Sequence, residues 1–195
     1  LIMKKLVLSV LLATVAFTAS NAQIQAGNVL AGANLSNISF GLDDPNVFSL
    51  NINPKAAWFI MDGFAVGGDV NFGLSTAKGA GTDINYGIGA LARTYTGRGQ
   101  DEVVNNSMFF GEATLGLSGV NPSTGGTTNG LGFSAGPGFT YFVTRSIGLE
   151  ALLKYNGVVG FGSSPYAHNL SLGVGFQVYL PGKRTADRVE RDMRN

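Results

Sequence analysis

Six charged side chains interrupt otherwise apolar or glycine-rich stretches: Lys55, Asp69, Arg93, Glu112, Glu150 and Lys154, three of each sign. Gathered in one interior they must pair or meet trapped water, because an unpaired charge in a dry interior is costly. Two behaviours are open to such a set. Arg93 can switch among Asp69, Glu112 and Glu150 as a gate on a narrow conduit, or the six can lock into a static plug of salt bridges. A second candidate is His168, the only histidine, with Ser163, Ser164 and Ser171 nearby in sequence. These are parts of an acyl hydrolase that would still need a carboxylate from another strand to orient the imidazole. One histidine and no cysteine leave no multi-histidine or thiolate metal site. The stretch GFSAG at 132–136 matches G-x-S-x-G, yet it lies inside an alternating segment that runs into Pro137-Gly138, without the strand, sharp turn and helix that the motif requires. The glycine-rich stretch 121–130 has no lysine and follows no phosphate-loop pattern. No catalytic residue, cofactor or metal is therefore expected.

The elements that position the charges are strands. In the stretch 64–74, Phe64, Val66, Gly68, Val70, Phe72 and Leu74 share one face, while Ala65, Gly67, Asp69, Asn71 and Gly73 share the other. A period of two over this length is a β-strand with one apolar and one polar or tiny face. Leu170, Leu172, Val174, Phe176, Val178 and Leu180 repeat the pattern against Ser171, Gly173, Gly175, Gln177 and Tyr179. The same reading predicts strands near 28–40, 47–59, 64–75, 84–96, 108–119, 131–143, 147–157 and 168–180, with a change of phase at Ser36-Asn37 that predicts a bulge. Asp62-Gly63 and 144–146 are tight turns, whereas 76–83, 120–130 and 158–167 read as longer loops. The stretch 97–107 breaks that alternation. Eight antiparallel strands close into an up-and-down barrel without edges, so the expected class is all-β.

Composition separates a membrane barrel from a soluble one. The 195 residues include 29 glycines, 45% hydrophobic residues and 13% charged ones, about half the charge usual in soluble domains. A water-soluble barrel would carry Lys, Glu and Thr on its second face, but here that face is mostly Gly, Ser, Asn and Ala. Small residues suit the crowded lumen of an eight-stranded transmembrane barrel, with Phe, Val, Leu and Ile against lipid. Trp58, Phe64, Tyr95, Phe109, Tyr141 and Tyr179 lie at strand ends beside the tight turns and are expected to form an aromatic belt at one interface. The formal net charge of +1 gives no basic footprint for nucleic acid.

Both ends of the sequence carry expectations of their own. Lys4-Lys5, an apolar run at 6–17, and Ser20 and Ala22 at the −3 and −1 positions before Gln23 read as a secretory signal over 1–22. That run is too short for a membrane-spanning helix, which needs about 20 residues. The barrel is expected over 23–180, followed by a short charged periplasmic tail at 181–195.

The segments GFAVGGDVNFGL, GIGALARTYT, FFGEATLGL, GPGFTYFVTRSIGLEALLKY and SLGVGFQVYL resemble the small eight-stranded outer-membrane β-barrel domain family, of the OmpA/OmpX type without a periplasmic domain. The resemblance implies a Gram-negative outer membrane with both termini periplasmic. In the last strand, Ser171, Gly173, Phe176 and Val178 resemble the signal read by the outer-membrane assembly machinery, although residues continue past Leu180. Family members share the barrel and differ in role. The role expected from the residues is that of a non-enzymatic structural or interaction protein, with a side-chain-plugged lumen because an eight-stranded interior is just wide enough for side chains to fill. Its expected partners are outer-membrane lipid, the assembly machinery during insertion and, as an open alternative, another outer-membrane protein. A narrow small-solute pore and a lipid-modifying hydrolase at His168 compete with that reading.

Overall fold

Alternation of large apolar with small or polar side chains makes each segment stable only as a strand whose two faces meet different surroundings. The computed structural model describes residues 24–40, 47–77, 79, 81–96, 107–123, 127–161 and 167–182. The expected signal segment and all of the charged tail beyond 182 lie outside them. Eight strands follow in order: β1 (Val29–Phe40), β2 (Val47–Met61), β3 (Phe64–Ala77), β4 (Gly81–Tyr95), β5 (Ser107–Asn121), β6 (Thr128–Thr144), β7 (Ile147–Gly160) and β8 (Ala167–Leu180). Each pairs antiparallel with the next, and β1 pairs with β8 from Val29↔Leu180 to Ser36↔Gly173, which closes the barrel. Closure leaves no row of unpaired main-chain groups, so the sheet needs no charged edge for protection.

The phase change in β1 is a bulge. The register with β2 shifts between Ser36 and Ser39, and Asn37 adopts a φ of 52°, a left-handed conformation that asparagine tolerates better than most residues. At Asp62-Gly63 the φ of 73° at Gly63 allows a two-residue hairpin, and β6 and β7 are joined by Arg145-Ser146.

All the strands except β1 are longer than the sequence suggests. Pairs such as Ala77↔Gly81 and Val120↔Thr128 continue the ladder through residues expected in loops, because main-chain pairing continues through Gly, Ser and Thr when neighbours hold the register. The connections at that end shrink to three residues at 78–80 and six each at 41–46, 122–127 and 161–166, while the eleven-residue connection 96–106 sits at the end that holds both termini. The expected contrast between one end of short turns and one of long loops is therefore not what the chain has.

The two faces separate cleanly. On β8, Leu170, Leu172, Val174 and Phe176 are more than half exposed on the outer wall, whereas Gln177 and Tyr179 are buried inside. The buried apolar core lies toward the end that carries the termini. There Leu30, Phe59, Tyr95, Phe110, Phe142 and Tyr179 point inward and pack against one another.

Candidate functional site

Glu112 on β5 and Arg93 on β4 are direct cross-strand neighbours, and both point into the lumen. The guanidinium reaches across to β7 as well. It binds Glu112 through Nε at 3.0 Å and through Nη2, and it binds Glu150 through Nη1 at 2.6 Å and Nη2 at 3.1 Å. Nη1 also donates to the Tyr95 hydroxyl at 2.9 Å, and the guanidinium carbon lies 4.1 Å from the centroid of the Phe110 ring. Arg93 has no exposed surface, so its charge is balanced entirely by these groups and by the ring face.

Lys55 sits opposite Asp69 in the β2–β3 register but extends across the lumen instead. Its ammonium donates to both Glu112 oxygens at 2.7 and 2.8 Å. Lys154 joins the same carboxylate at 3.4 Å. Glu150 accepts further bonds from Thr140 and Gln177, both at 3.2 Å, and from Tyr179 at 3.3 Å. Asp69 accepts from the Asn53 amide at 3.0 Å. Five of the six expected charges thus form one connected layer across the lumen. The sixth, Asp69, lies beside it and is held by a neutral amide. Both carboxylates of the layer are satisfied: Glu112 faces three cations, and Glu150 is held by one cation and three neutral donors.

Below this layer, toward the termini, five inward rings form a septum. Tyr95 and Tyr179 share a hydroxyl–hydroxyl hydrogen bond of 2.8 Å. Centroid separations are 5.5 Å for Tyr95 and Phe110, 5.2 Å for Phe142 and Tyr179, and 5.9 Å for Phe59 and Tyr95, within the range of favourable aromatic pairs. Phe110 lies over Gly138 on β6, where any Cβ would collide with the ring. The missing side chain makes the space that Phe110 fills.

Two members of the expected aromatic belt are therefore corrected. Tyr95 and Tyr179 are buried in the septum, because each shares strand parity with an inward residue, Arg93 and Gln177 respectively. Trp58, Phe109 and Tyr141 are exposed on the outer wall, and Phe64 is half-buried. Thr140, Gln177, Tyr95 and Tyr179 were missed as partners of the charged layer. Strand parity was the signal that would have found them. In β8, Ser171 and Gly173 point inward, Phe176 is exposed outward and Val178 shares its face.

The hydrolase constellation does not assemble from the described residues. His168 stands on the outer-wall phase of β8 against the Tyr155 ring at 5.8 Å, while Ser171 faces the lumen and accepts from the Asn156 amide at 2.9 Å. Ser163 and Ser164 lie outside the described residues. Ser134 of the GFSAG stretch lies within β6 and is bonded to the Thr114 hydroxyl at 2.6 Å, with no turn to expose it.

No family model matches the chain, and no curated protein does. Among solved structures, the chain is similar to Neisserial surface protein A (NspA), with 22% identity and a TM-score of 0.55, covering 77% of this chain and 95% of that one. It is also similar to the outer membrane protein OprG from Pseudomonas aeruginosa, with 10% identity and a TM-score of 0.52, covering 81% of this chain and 98% of that one. Closure, strand count and this likeness together give the chain the fold of the small eight-stranded outer-membrane β-barrels.

Proposed function

We propose that the protein is an integral outer-membrane barrel, without enzymatic activity, that serves a structural or interaction role and whose lumen is blocked by its own side chains. One observation carries this reading: exposure is inverted relative to a water-soluble protein. Arg93, Glu112 and Glu150 are buried, while Leu, Ile, Val and Phe cover the outer wall, with Ile88, Leu170 and Leu172 about two-thirds exposed. Such a continuous apolar surface is stable against lipid and aggregation-prone in water. Trp58, Phe109 and Tyr141 supply the amphipathic rings suited to one membrane interface. The charged layer and the septum support a closed lumen, since eight strands leave an interior that side chains can fill.

Two experiments test the reading. The folded barrel should fractionate with outer membranes and migrate differently on electrophoresis before and after boiling. A water-soluble monomer with one mobility would refute membrane residence. In planar bilayers the protein should give no steady conductance, and a defined open level would replace the closed-lumen reading with a small-solute pore. The interaction role predicts a stoichiometric complex on mild detergent extraction, with another outer-membrane protein as the partner sought. A barrel that always ran alone would leave only the structural role.

A further inference from the structure

On the other side of the charged layer, toward connections 41–46, 78–80, 122–127 and 161–166, side chains do not fill the lumen. A chamber of about 280 Å³ runs there, and the layer and the septum make it blind at the end that holds the termini. Two charged residues, Asp69 and Lys154, are among those that line it. Asp69 comes from β3 and Lys154 from β7, with three strands between them in either direction around the closed sheet, so they enter the lumen from opposite walls. Both stand at the chamber floor: Asp69 is the cross-strand neighbour of Lys55, and Lys154 reaches Glu112.

Charge is not balanced within the layer itself. Lys55, Arg93 and Lys154 oppose only Glu112 and Glu150, an excess of one positive charge. That excess is carried by Lys154. Its ammonium lies 3.4 Å from a Glu112 oxygen that Lys55 already holds at 2.7 Å, and its side chain keeps 13% of its surface accessible, whereas those of Lys55 and Arg93 keep none. The compensating negative charge is Asp69, which has no ion pair among the described residues and accepts one hydrogen bond there, from Asn53 to Oδ2. Its other oxygen, Oδ1, lies over Gly89 on β4, where a Cβ would stand 3.0 Å away, so no side chain covers it from that position.

A carboxylate short of a cation and an ammonium short of an anion thus meet across one small space, in an interior where Coulomb interactions are stronger than in bulk water. Water completes their hydrogen bonds but neutralises neither charge. A simple anion at Lys154 is repelled by Asp69, and a simple cation at Asp69 is repelled by Lys154. A molecule that carries both charges answers both groups at once, and its net charge of zero leaves the six lumen charges balanced. Small-molecule pockets span about 300–1,000 Å³, so a chamber of about 280 Å³ suits a compact ligand.

We propose that the chamber binds a small zwitterion that bears an ammonium and a carboxylate, a compact amino acid, with its ammonium on Asp69 and its carboxylate on Lys154. This goes beyond the functional reading above and requires only the closed barrel, so it stands or falls separately from membrane residence.

The test uses the full chain refolded in detergent micelles. The Asn53 side-chain amide, which donates to Asp69, is followed by NMR while a probe is added over the millimolar range. Glycine, alanine and β-alanine serve as zwitterions, acetate and methylammonium as single charges, and glycerol as a neutral control. Saturable shifts with at least one zwitterion are expected, at a dissociation constant at least about tenfold below those of acetate and methylammonium. Asp69→Asn should weaken zwitterion binding about tenfold while strengthening that of acetate, and Lys154→Met should weaken it about as much while strengthening that of methylammonium. That exchange of preference is something a merely structural role would not produce. Amide dispersion reports whether each variant folds. Asp69 lies outside the paired layer, so Asp69→Asn carries the test if Lys154→Met does not fold, and the ranking of probes on the parent chain decides it if neither does. Shifts that only grow linearly with every zwitterion overturn the proposal in favour of a hydrated chamber. Acetate, methylammonium or glycerol bound as tightly as the zwitterions, or zwitterion binding unchanged in folded variants, also overturns it.

Discussion

Replacing Arg93 by methionine keeps a long side chain against the Phe110 ring and removes the cation bound to Glu150 among the described residues. The two carboxylates then fare differently. Glu112 retains Lys55 at 2.7 Å and Lys154 at 3.4 Å. Glu150 retains only the neutral donors Thr140, Gln177 and Tyr179, at 3.2–3.3 Å, and stays buried at 4% exposure. Stripping a buried charge of its partner costs about 3–5 kcal/mol, and that is the destabilisation expected of Arg93→Met. Adding Glu150→Gln removes the orphaned charge and should return the double variant to within about 1–2 kcal/mol of the parent, since a neutral replacement of a buried pair is often tolerated. Lys55→Met should cost less, about 1–3 kcal/mol, because Glu112 keeps Arg93. The assay is equilibrium urea unfolding of the barrel refolded in micelles, read by the fraction that keeps its folded electrophoretic mobility. If Arg93→Met shifted stability by less than about 1 kcal/mol, or if Glu150→Gln failed to rescue it, the layer would not be the coupled network inferred from its geometry.

Leu172→Arg on the outer wall should destabilise the barrel in lipid vesicles by about 2–4 kcal/mol if that site lies near the bilayer midplane; a change within about 0.5 kcal/mol would match a surface site in water instead. Gly138→Val should cost about 1–3 kcal/mol or prevent folding, because the new side chain competes with the Phe110 ring; an unchanged urea midpoint would mean that the septum repacks freely. Truncating Phe59, Phe110 and Phe142 together to alanine should leave the charged layer as the remaining barrier and raise bilayer conductance above that of the parent. Equal conductance in both would show that the charged layer alone suffices to block passage.

Much of the barrel was legible because a strand's side chains alternate with a period of two, a local property that survives without knowledge of neighbours. The inward phase of Asp69, Arg93, Glu112 and Glu150 follows from counting along each strand. So does the inward phase of Tyr95 and Tyr179, which enrichment of aromatics near strand ends pointed the other way. Parity is a steric constraint of the pleat, whereas a belt is only a compositional tendency. Strand ends were less legible. Glycine, serine and threonine at 76–83 and 120–130 read as loops, yet paired neighbours carry the ladder into both ends of each stretch.

By itself the sequence determined that eight alternating segments would form strands, which residues share a face, and that one face had to shun water. The tertiary structure alone decided who meets whom across the lumen. Lys55 pairs with Glu112 from three strands away rather than with Asp69 beside it, five inward rings converge into a septum, and Asn34, Asn71 and Ser118 gather around a chamber. Those meetings depend on the stagger at which the sheet closes on itself, which sets the height of each strand relative to strands it never pairs with. No periodicity along one strand encodes that height, and so the charges were visible in the sequence while their partners across the lumen were not.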